Sequence, residues 1–334
     1  MMKKICCFFF ALSLCFLNIS AANKTVIVCG DTVMINGQYN GVLISGQFDF
    51  EIDQQLIQTH PDDSVRIGDL IIEANQQPIV YTSDLNDVIS SVPFDQNSID
   101  VIVKRNNIKT NAKLYLYFDK TSSSFKTGLY IKDHITGTGT LTYYDPETHM
   151  YGALGHEIIE KSTQSLAELN QGQICTGKVT SIKPSLINQP GEKVSKNTGL
   201  VLGNILVHNQ YGIFGKVMQP IRGIEMEIGS KAQIKLGSAK IMTVIHDNIV
   251  EEFDIMITSI YTSDERQIKN IELKITDPKL LETTGGIIQG MSGSPIIQDG
   301  KLVGAVTHVL VNDPTRGYGI FIENMLEAAE NGIN

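Results

Sequence analysis

Ser292 lies in the run Gly290-Met291-Ser292-Gly293-Ser294-Pro295. A serine hydroxyl is a weak nucleophile and needs a base within hydrogen-bond reach. Glycine accepts tight or left-handed backbone that other residues resist. A turn built this way pushes the Ser292 side chain outward while the N–H groups of Gly290 and Ser292 converge on one point, the layout of an oxyanion hole. The Gly-x-Ser-Gly frame favours Ser292 over Ser294 as nucleophile. The matching base is His156, at the end of Gly152-Ala153-Leu154-Gly155-His156. A neutral imidazole suits proton abstraction near neutral pH. Such a base needs an acceptor that fixes its tautomer, and three aspartates compete for that role. Asp277 lies 15 residues before Ser292, Asp254 opens an apolar strand, and Asp247 precedes it. An aspartate before a proline, as Asp277 is before Pro278, also suits a plain turn cap. His308 is a second imidazole, on a β-rich run. His156-Glu157-Ile158-Ile159-Glu160 starts like a zinc-protease motif, but Glu160 stands where the second histidine must be. Neither a metal nor a cofactor is expected.

The elements that must position these groups are short strands. From residue 129 onward, β-branched runs alternate with turn signals at roughly the 8–12-residue spacing of all-β folds. A strand, the turn Asp145-Pro146-Glu147-Thr148 and a second strand deliver His156. After Ser292, Pro295-Ile296-Ile297 and the Asp299-Gly300 turn form a hairpin with a strong two-residue turn signal. Histidine upstream of serine is the order of chymotrypsin-like double barrels, in which each barrel supplies one wall of the cleft. Residues 129–334 are therefore expected to be a double β-barrel peptidase domain, with clear helix only near the C-terminus.

Residues 34–118 read as short strands with one or two helices. Val65-Arg66-Ile67-Gly68-Asp69-Leu70-Ile71-Ile72-Glu73-Ala74-Asn75 is at their centre. This order resembles a PDZ domain of the protease-associated kind, an α/β fold that binds an extended peptide as an added strand. The resemblance implies a loop and edge strand for that peptide at Gly41, Val42, Leu43 and Ile44. Residues 119–128, polar and serine-rich, read as a linker. At the N-terminus, Lys3 and Lys4 precede an apolar run and then Ser20-Ala21-Ala22. Residues 1–22 thus have the pattern of a signal peptide or membrane anchor, and export across the cytoplasmic membrane is expected. The net charge of -9, with no basic tract, argues against a nucleic-acid partner. Outside the apolar N-terminal run only Cys29 and Cys175 remain, so no disulfide framework is expected.

Three motifs carry a more specific likeness: GTLTYYDPET with YGALGHEI, ITDPKLLETTGGIIQGMSGSPI, and GKLVGAVTHVLVNDPTRGYGIFIENML. Together they resemble the stage IV sporulation protein B peptidases, PDZ-bearing serine peptidases of endospore-forming bacteria. The likeness covers most of residues 33–326. It implies His156, Ser292 and Asp277 as the catalytic set; Asp254, at the start of its apolar strand, stays the alternative third member on the residues alone. Glu157, charged and next to the histidine, departs from the pattern. The resemblance further implies a peptidase of the intermembrane space of the developing spore. Such an enzyme cleaves itself and a membrane-bound regulator, so that a late sigma factor is activated. Its implied partners are therefore polypeptide substrates including itself, that regulator, and a peptide ligand of the PDZ domain. The competing reading is a non-catalytic PDZ adaptor whose second domain is a peptidase-like β-barrel.

Overall fold

Runs of valine, isoleucine and aromatic residues, cut by Gly, Asn and Asp turns, make this a mainly β protein. The structure is a computed structural model describing residues 24–59, 62, 64–263 and 268–332. The signal or anchor reading of residues 1–22 lies outside the described residues. Among those described, no helix is long and apolar enough to cross a membrane.

The C-terminal half holds a closed ring of six antiparallel strands. Gly237–Val244 pairs with Val250–Ile260, then come Ile271–Ile275, Asp313–Phe321, Lys301–Leu310 and Pro295–Gln298, which pairs back onto Gly237–Val244. Period-two burial builds it: along Val250–Ile260, Phe253, Ile255 and Ile257 are buried while Asp254 and Met256 are exposed. The inward residues, with Ile241, Leu273, Ile275, Ile296 and Val306, fill the barrel. Asp299 (φ 52°) and Gly300 (φ 73°) make the two-residue turn that sets the Gln298↔Lys301 register.

A second ring stands beside it. Its strands are Thr32–Gln47, Leu169–Lys183, Glu192–Ile205, Gly212–Lys216, Met150–Ala153 and Leu129–Asp145. It closes where Val207–Asn209, which continues Glu192–Ile205, pairs with Gly212–Lys216, with the bridge Gly203↔Val217 beyond. Val33, Ile35, Leu141, Tyr151, Leu154, Ile174 and Ile213 fill it. The helix Ile322–Asn331 and the strand Thr25–Val28 pack a shared core between the rings, through Met325, Val26, Tyr143, Phe214 and Ile320. Cys29 and Cys175 are both buried free thiols.

The α/β unit is not strung ahead of this barrel; it is inserted into it. The strands Thr32–Gln47 and Leu129–Asp145 pair from Thr32↔Thr140 out to Gln47↔Leu129, so their far ends belong to the α/β unit and their near ends to the barrel. The unit comprises Leu70–Ala74, the helix Thr82–Ser90, and the hairpin of Ser98–Arg105 with Ile108–Tyr115. Its core is Val42, Ile44, Ile71, Leu85, Val88, Val101, Val103 and Leu114. Asp69 lies buried within it, with Arg105 Nε and Nη2 each 2.7 Å from its carboxylate oxygens. Two expectations are corrected here. Residues 119–128 are not a free linker: Tyr117–Asp119 and Ser124–Lys126 form a hairpin, and Phe125 and Leu129 pack on the unit's core. Nor is the stretch expected to take a peptide, Gly41, Val42, Leu43 and Ile44, an open edge along Val42–Ile44; Gly41 lies outside both pairings. Val42 and Leu43 pair with Ile71 and Leu70 on one side, while Leu43 and Ile44 pair with Lys132 and Ile131 on the other. The chain's own strand occupies the edge that a peptide would take.

Candidate active site

The nucleophile loop begins where the helix Pro278–Thr284 stops. Gly285 ends that helix in a left-handed conformation (φ 67°), and Gly286 (φ 137°) continues the turn. The loop then passes so close to the ring that holds Leu129–Asp145 that a Cβ on Gly293 (φ 93°) would lie 2.1 Å from the Thr140 carbonyl oxygen and 2.6 Å from the Leu154 nitrogen. That approach requires glycine. Thr140 N–H donates to the Ser292 carbonyl (2.8 Å), the Thr140 hydroxyl to the Gly290 carbonyl (2.8 Å), and the Thr142 hydroxyl to the Gly293 carbonyl (2.7 Å). The loop is therefore fastened by its carbonyls to the strand Leu129–Asp145 of the neighbouring ring. Its N–H groups divide. Those of Met291, Gly293 and Ser294 donate to Ile288, Val306 and Met291 carbonyls, whereas among the described residues those of Gly290 and Ser292 have no acceptor.

Ser292 is partly exposed, and its hydroxyl donates to the Thr307 carbonyl at 3.1 Å. Ser294 is fully buried, its hydroxyl without a partner among the described residues, and out of a substrate's reach. His156 is delivered by two consecutive left-handed residues, Leu154 (φ 71°) and Gly155 (φ 72°). A Cβ on Gly155 would lie 3.0 Å from the Thr307 methyl, so Thr307 borders both the histidine turn and the serine. The His156 Nδ1 is 2.6 Å from the Glu157 carbonyl oxygen. A carbonyl only accepts, so Nδ1 carries the proton and Nε2 keeps its lone pair. His156 and Ser292 are not hydrogen-bonded to each other; each holds its own backbone acceptor. Catalytic hydrogen bonds are often loose until substrate binds.

Two further imidazoles surround His156. The His308 ring centroid is 5.2 Å away, and His208 Nε2 accepts the Ile158 N–H at 2.8 Å. Burial lowers the pKa of His156, and it lowers His208 and His308 to about 4, assisted by charge on His156. All three are neutral near pH 7, the form a general base requires. Among the described residues, the His308 Nδ1 and one carboxylate oxygen of Glu157 are buried without partners.

No aspartate of the three candidates touches His156. Asp277 is the N-cap of the helix Pro278–Thr284, its carboxylate accepting the Leu280 N–H at 3.0 Å and the Asp254 N–H at 3.4 Å. Asp254 is exposed, opposite Lys240 on the neighbouring strand. Asp247 pairs with Lys178 at 3.1 Å and His246 at 3.4 Å. The acceptor that orients His156 in this structure is instead the Glu157 carbonyl. Glu160 bonds the Tyr39 hydroxyl (2.6 Å), Lys132 Nζ (2.8 Å) and Ser162, and no imidazole is among its partners in the described residues. Burial alone would raise its carboxyl, but these hydrogen bonds bring it down to about 2. Among the described residues no group of three or more His, Cys, Asp or Glu is placed to hold a metal ion.

One residue at the site escaped sequence reasoning. Lys193 is 4% exposed, and its Nζ lies 2.7 Å from the Thr243 hydroxyl and 3.4 Å from the Thr140 hydroxyl. Its only signal was its place two residues after Gly191, in a strand whose inward face a lysine does not announce.

Comparison with known proteins agrees with this chemistry. No curated protein matches the chain. A solved structure of Rv3671c from M. tuberculosis, the inactive form of a serine-to-alanine mutant, matches with 12% identity and a TM-score of 0.33, over 58% of this chain and 81% of that one. That likeness is too distant to define the fold. The family model described as SpoIVB peptidase S55 matches residues 123–326, more than half of the chain. These residues include the strand that fastens the loop, the histidine turn and the whole nucleophile loop. The chain belongs to the SpoIVB peptidase S55 family and is a serine endopeptidase.

Proposed function

We propose that Ser292 is the nucleophile, His156 the general base, and the N–H groups of Gly290 and Ser292 the oxyanion hole. The observation that carries this reading is the pair of N–H groups flanking Met291, which have no acceptor among the described residues, while those of Gln289, Met291, Gly293 and Ser294 around them are bonded. In the resting enzyme the Ser292 proton rests on the Thr307 carbonyl. On substrate binding, rotation about the serine Cα–Cβ bond turns the hydroxyl to Nε2 of His156. Nε2 takes the proton as Oγ attacks the scissile carbonyl, and the oxyanion is received by the two N–H groups. The imidazolium then protonates the leaving amine, and water hydrolyses the acyl-enzyme by the same steps in reverse order. The Glu157 carbonyl holds the Nδ1 proton throughout.

The substrates in this reading are polypeptides: the protein itself and a membrane-bound regulator of sporulation signalling, cleaved outside the cytoplasmic membrane so that a late sigma factor is activated. The sporulation family and the leader-like N-terminal sequence support it. We read the α/β unit as a PDZ-type module, because its helix and strands enclose one core and Asp69 of the Ile-Gly-Asp motif is buried as its internal ion pair. Binding a peptide by strand addition at 41–44 would require residues 129–132 to leave that edge.

The test compares the full-length chain with Ser292→Ala and His156→Ala variants, for self-cleavage, hydrolysis of a test polypeptide, and labelling by a fluorophosphonate. Wild type alone should cleave and be labelled. Equal behaviour of all three proteins would overturn the assignment.

A further inference from the structure

Lysine is almost never fully buried without a charged partner, because desolvating the ammonium is costly. Lys193 is such a lysine. It has no carboxylate partner among the described residues. The strand Leu129–Asp145 offers its amine only the Thr140 hydroxyl, and the strand Gly237–Val244 only that of Thr243. A neutral amine has two N–H donors, which match two hydroxyl oxygens; an ammonium would have a third with no acceptor. Burial alone lowers its pKa, to about 7.

The position of Lys193 explains why a chain would tolerate it. Its backbone N–H donates to the Gln289 carbonyl at 2.9 Å, and the Gln289 N–H donates to the Gly191 carbonyl at 2.8 Å. In a trans peptide the carbonyl and the following N–H point in opposite directions. Holding the Gln289 carbonyl therefore fixes the direction of the Gly290 N–H. The lysine stem closes the same point from one side: a Cβ on Gly290 would meet its Cβ, Cγ and Cδ at 3.1–3.2 Å. At the far end, Nζ is within reach of the Thr140 hydroxyl, which itself donates to the Gly290 carbonyl. Both peptide units flanking Gly290 are thus tied to one residue, directly and through Thr140.

We infer that Lys193 is a positioning residue for the oxyanion hole, holding the backbone on both sides of Gly290 so that its N–H faces the Ser292 pocket. The inference rests on Ser292 being the nucleophile. Lys193 touches no reacting atom, so losing its side chain should lower the rate of acylation while leaving ground-state binding alone.

The experiment measures kcat and KM for peptide hydrolysis by full-length wild type, Lys193→Met, Thr140→Val and Thr140→Ser. Each rate is divided by the concentration of sites titrated with a fluorophosphonate. Lys193→Met and Thr140→Val should each lose about 10- to 100-fold in kcat per titrated site, less than the 10²–10³ for deleting an oxyanion donor outright. KM should stay within about twofold, and Thr140→Ser should restore the wild-type rate. A second readout is the melting temperature between pH 7 and 10.5. The unfolded lysine binds a proton there and the folded one does not, so wild-type stability should rise with pH across that window. Lys193→Met should lose that part of the slope. If Lys193→Met does not fold, Thr140→Val against Thr140→Ser decides. A kcat per titrated site within twofold of wild type in Lys193→Met and Thr140→Val overturns the inference. A wild type that hydrolyses peptide but does not label at Ser292 overturns the nucleophile assignment first, and this inference with it.

Discussion

Asp277 separates two accounts of the same residue, and its replacement by asparagine distinguishes them. Its carboxylate accepts the Leu280 N–H at 3.0 Å at the start of the helix Pro278–Thr284. Pro278 brings no N–H of its own, so the Leu280 N–H is a principal orphan donor of that first turn. Leu280 is fully buried. An N-cap is worth about 1 kcal/mol, with an upper end near 2 where the freed N–H has no water to turn to. For a domain of this size that corresponds to a melting-temperature loss of roughly 2–8 °C in Asp277→Ala. Asparagine and serine cap almost as well as aspartate. Asp277→Asn and Asp277→Ser should therefore melt close to wild type. If Asp277 only caps the helix, kcat/KM per titrated site should stay within about threefold in both. A carboxylate orienting the histidine would instead cost roughly 10⁴-fold on amidation. The assay pairs thermal melts with kcat/KM on a fluorogenic peptide. An Asp277→Asn protein that melts like wild type yet loses a thousandfold or more in rate would refute our view that the Glu157 carbonyl alone orients His156.

Further outcomes follow from other parts of the site. The acid limb of kcat/KM should have its midpoint below pH 6.5, because burial lowers the His156 pKa and activity is lost only as pH falls through that lowered value; a midpoint above 7 would contradict the burial argument. His208 and His308 stay neutral down to about pH 4, while the unfolded chain takes up protons from about 6.5. Stability should therefore decline as pH falls from 6.5 toward 4, and His208→Gln should flatten the decline in urea titrations. Gly293→Ala puts a methyl 2.1 Å from the Thr140 carbonyl oxygen at a φ of 93°. It should cost roughly 2 kcal/mol or more and abolish fluorophosphonate labelling, and a labelled variant with wild-type melting would be evidence against the observed loop path. Glu160→Gln leaves Lys132 without its buried counter-charge. A loss of about 1–2 kcal/mol and faster proteolysis between 157 and 168 are expected, and unchanged proteolysis would show that Glu160 does not hold this segment.

What was legible in the sequence was what depends on neighbours along the chain. Gly290 and Gly293 flank Ser292 because two left-handed backbone positions are needed there, and only glycine takes them cheaply. The Asp299-Gly300 hairpin and the alternation Phe253, Ile255, Ile257 are equally local. Asp277 is instructive, because the plain reading of Asp-Pro as a cap describes the helix the structure contains. What could not be read was long-range pairing. Nothing near Gly41, Val42, Leu43 and Ile44 announces that residues 131 and 132 lie along their open side. Lys193 was illegible for a related reason: a lysine in a polar strand segment looks solvated until the strands carrying Thr140 and Thr243 close over it.

The pairing of Thr32–Gln47 with Leu129–Asp145 also bears on the order in which the molecule assembles. The two strands are separated in sequence by the whole α/β unit, and closing so long a loop in an unstructured chain is entropically slow. Once the unit is formed, its own pairs Gln47↔Leu129 and Gly46↔Tyr130 hold the bases of both strands together. The remaining register then zips toward Thr32↔Thr140, and Thr140 is the residue that fastens the Ser292 loop. On this route the inserted unit serves as the barrel's folding template. A destabilising change deep in it, such as Leu114→Ala, would appear as delayed acquisition of a labelled active-site serine during refolding, although Leu114 belongs to a separate core from the catalytic loop.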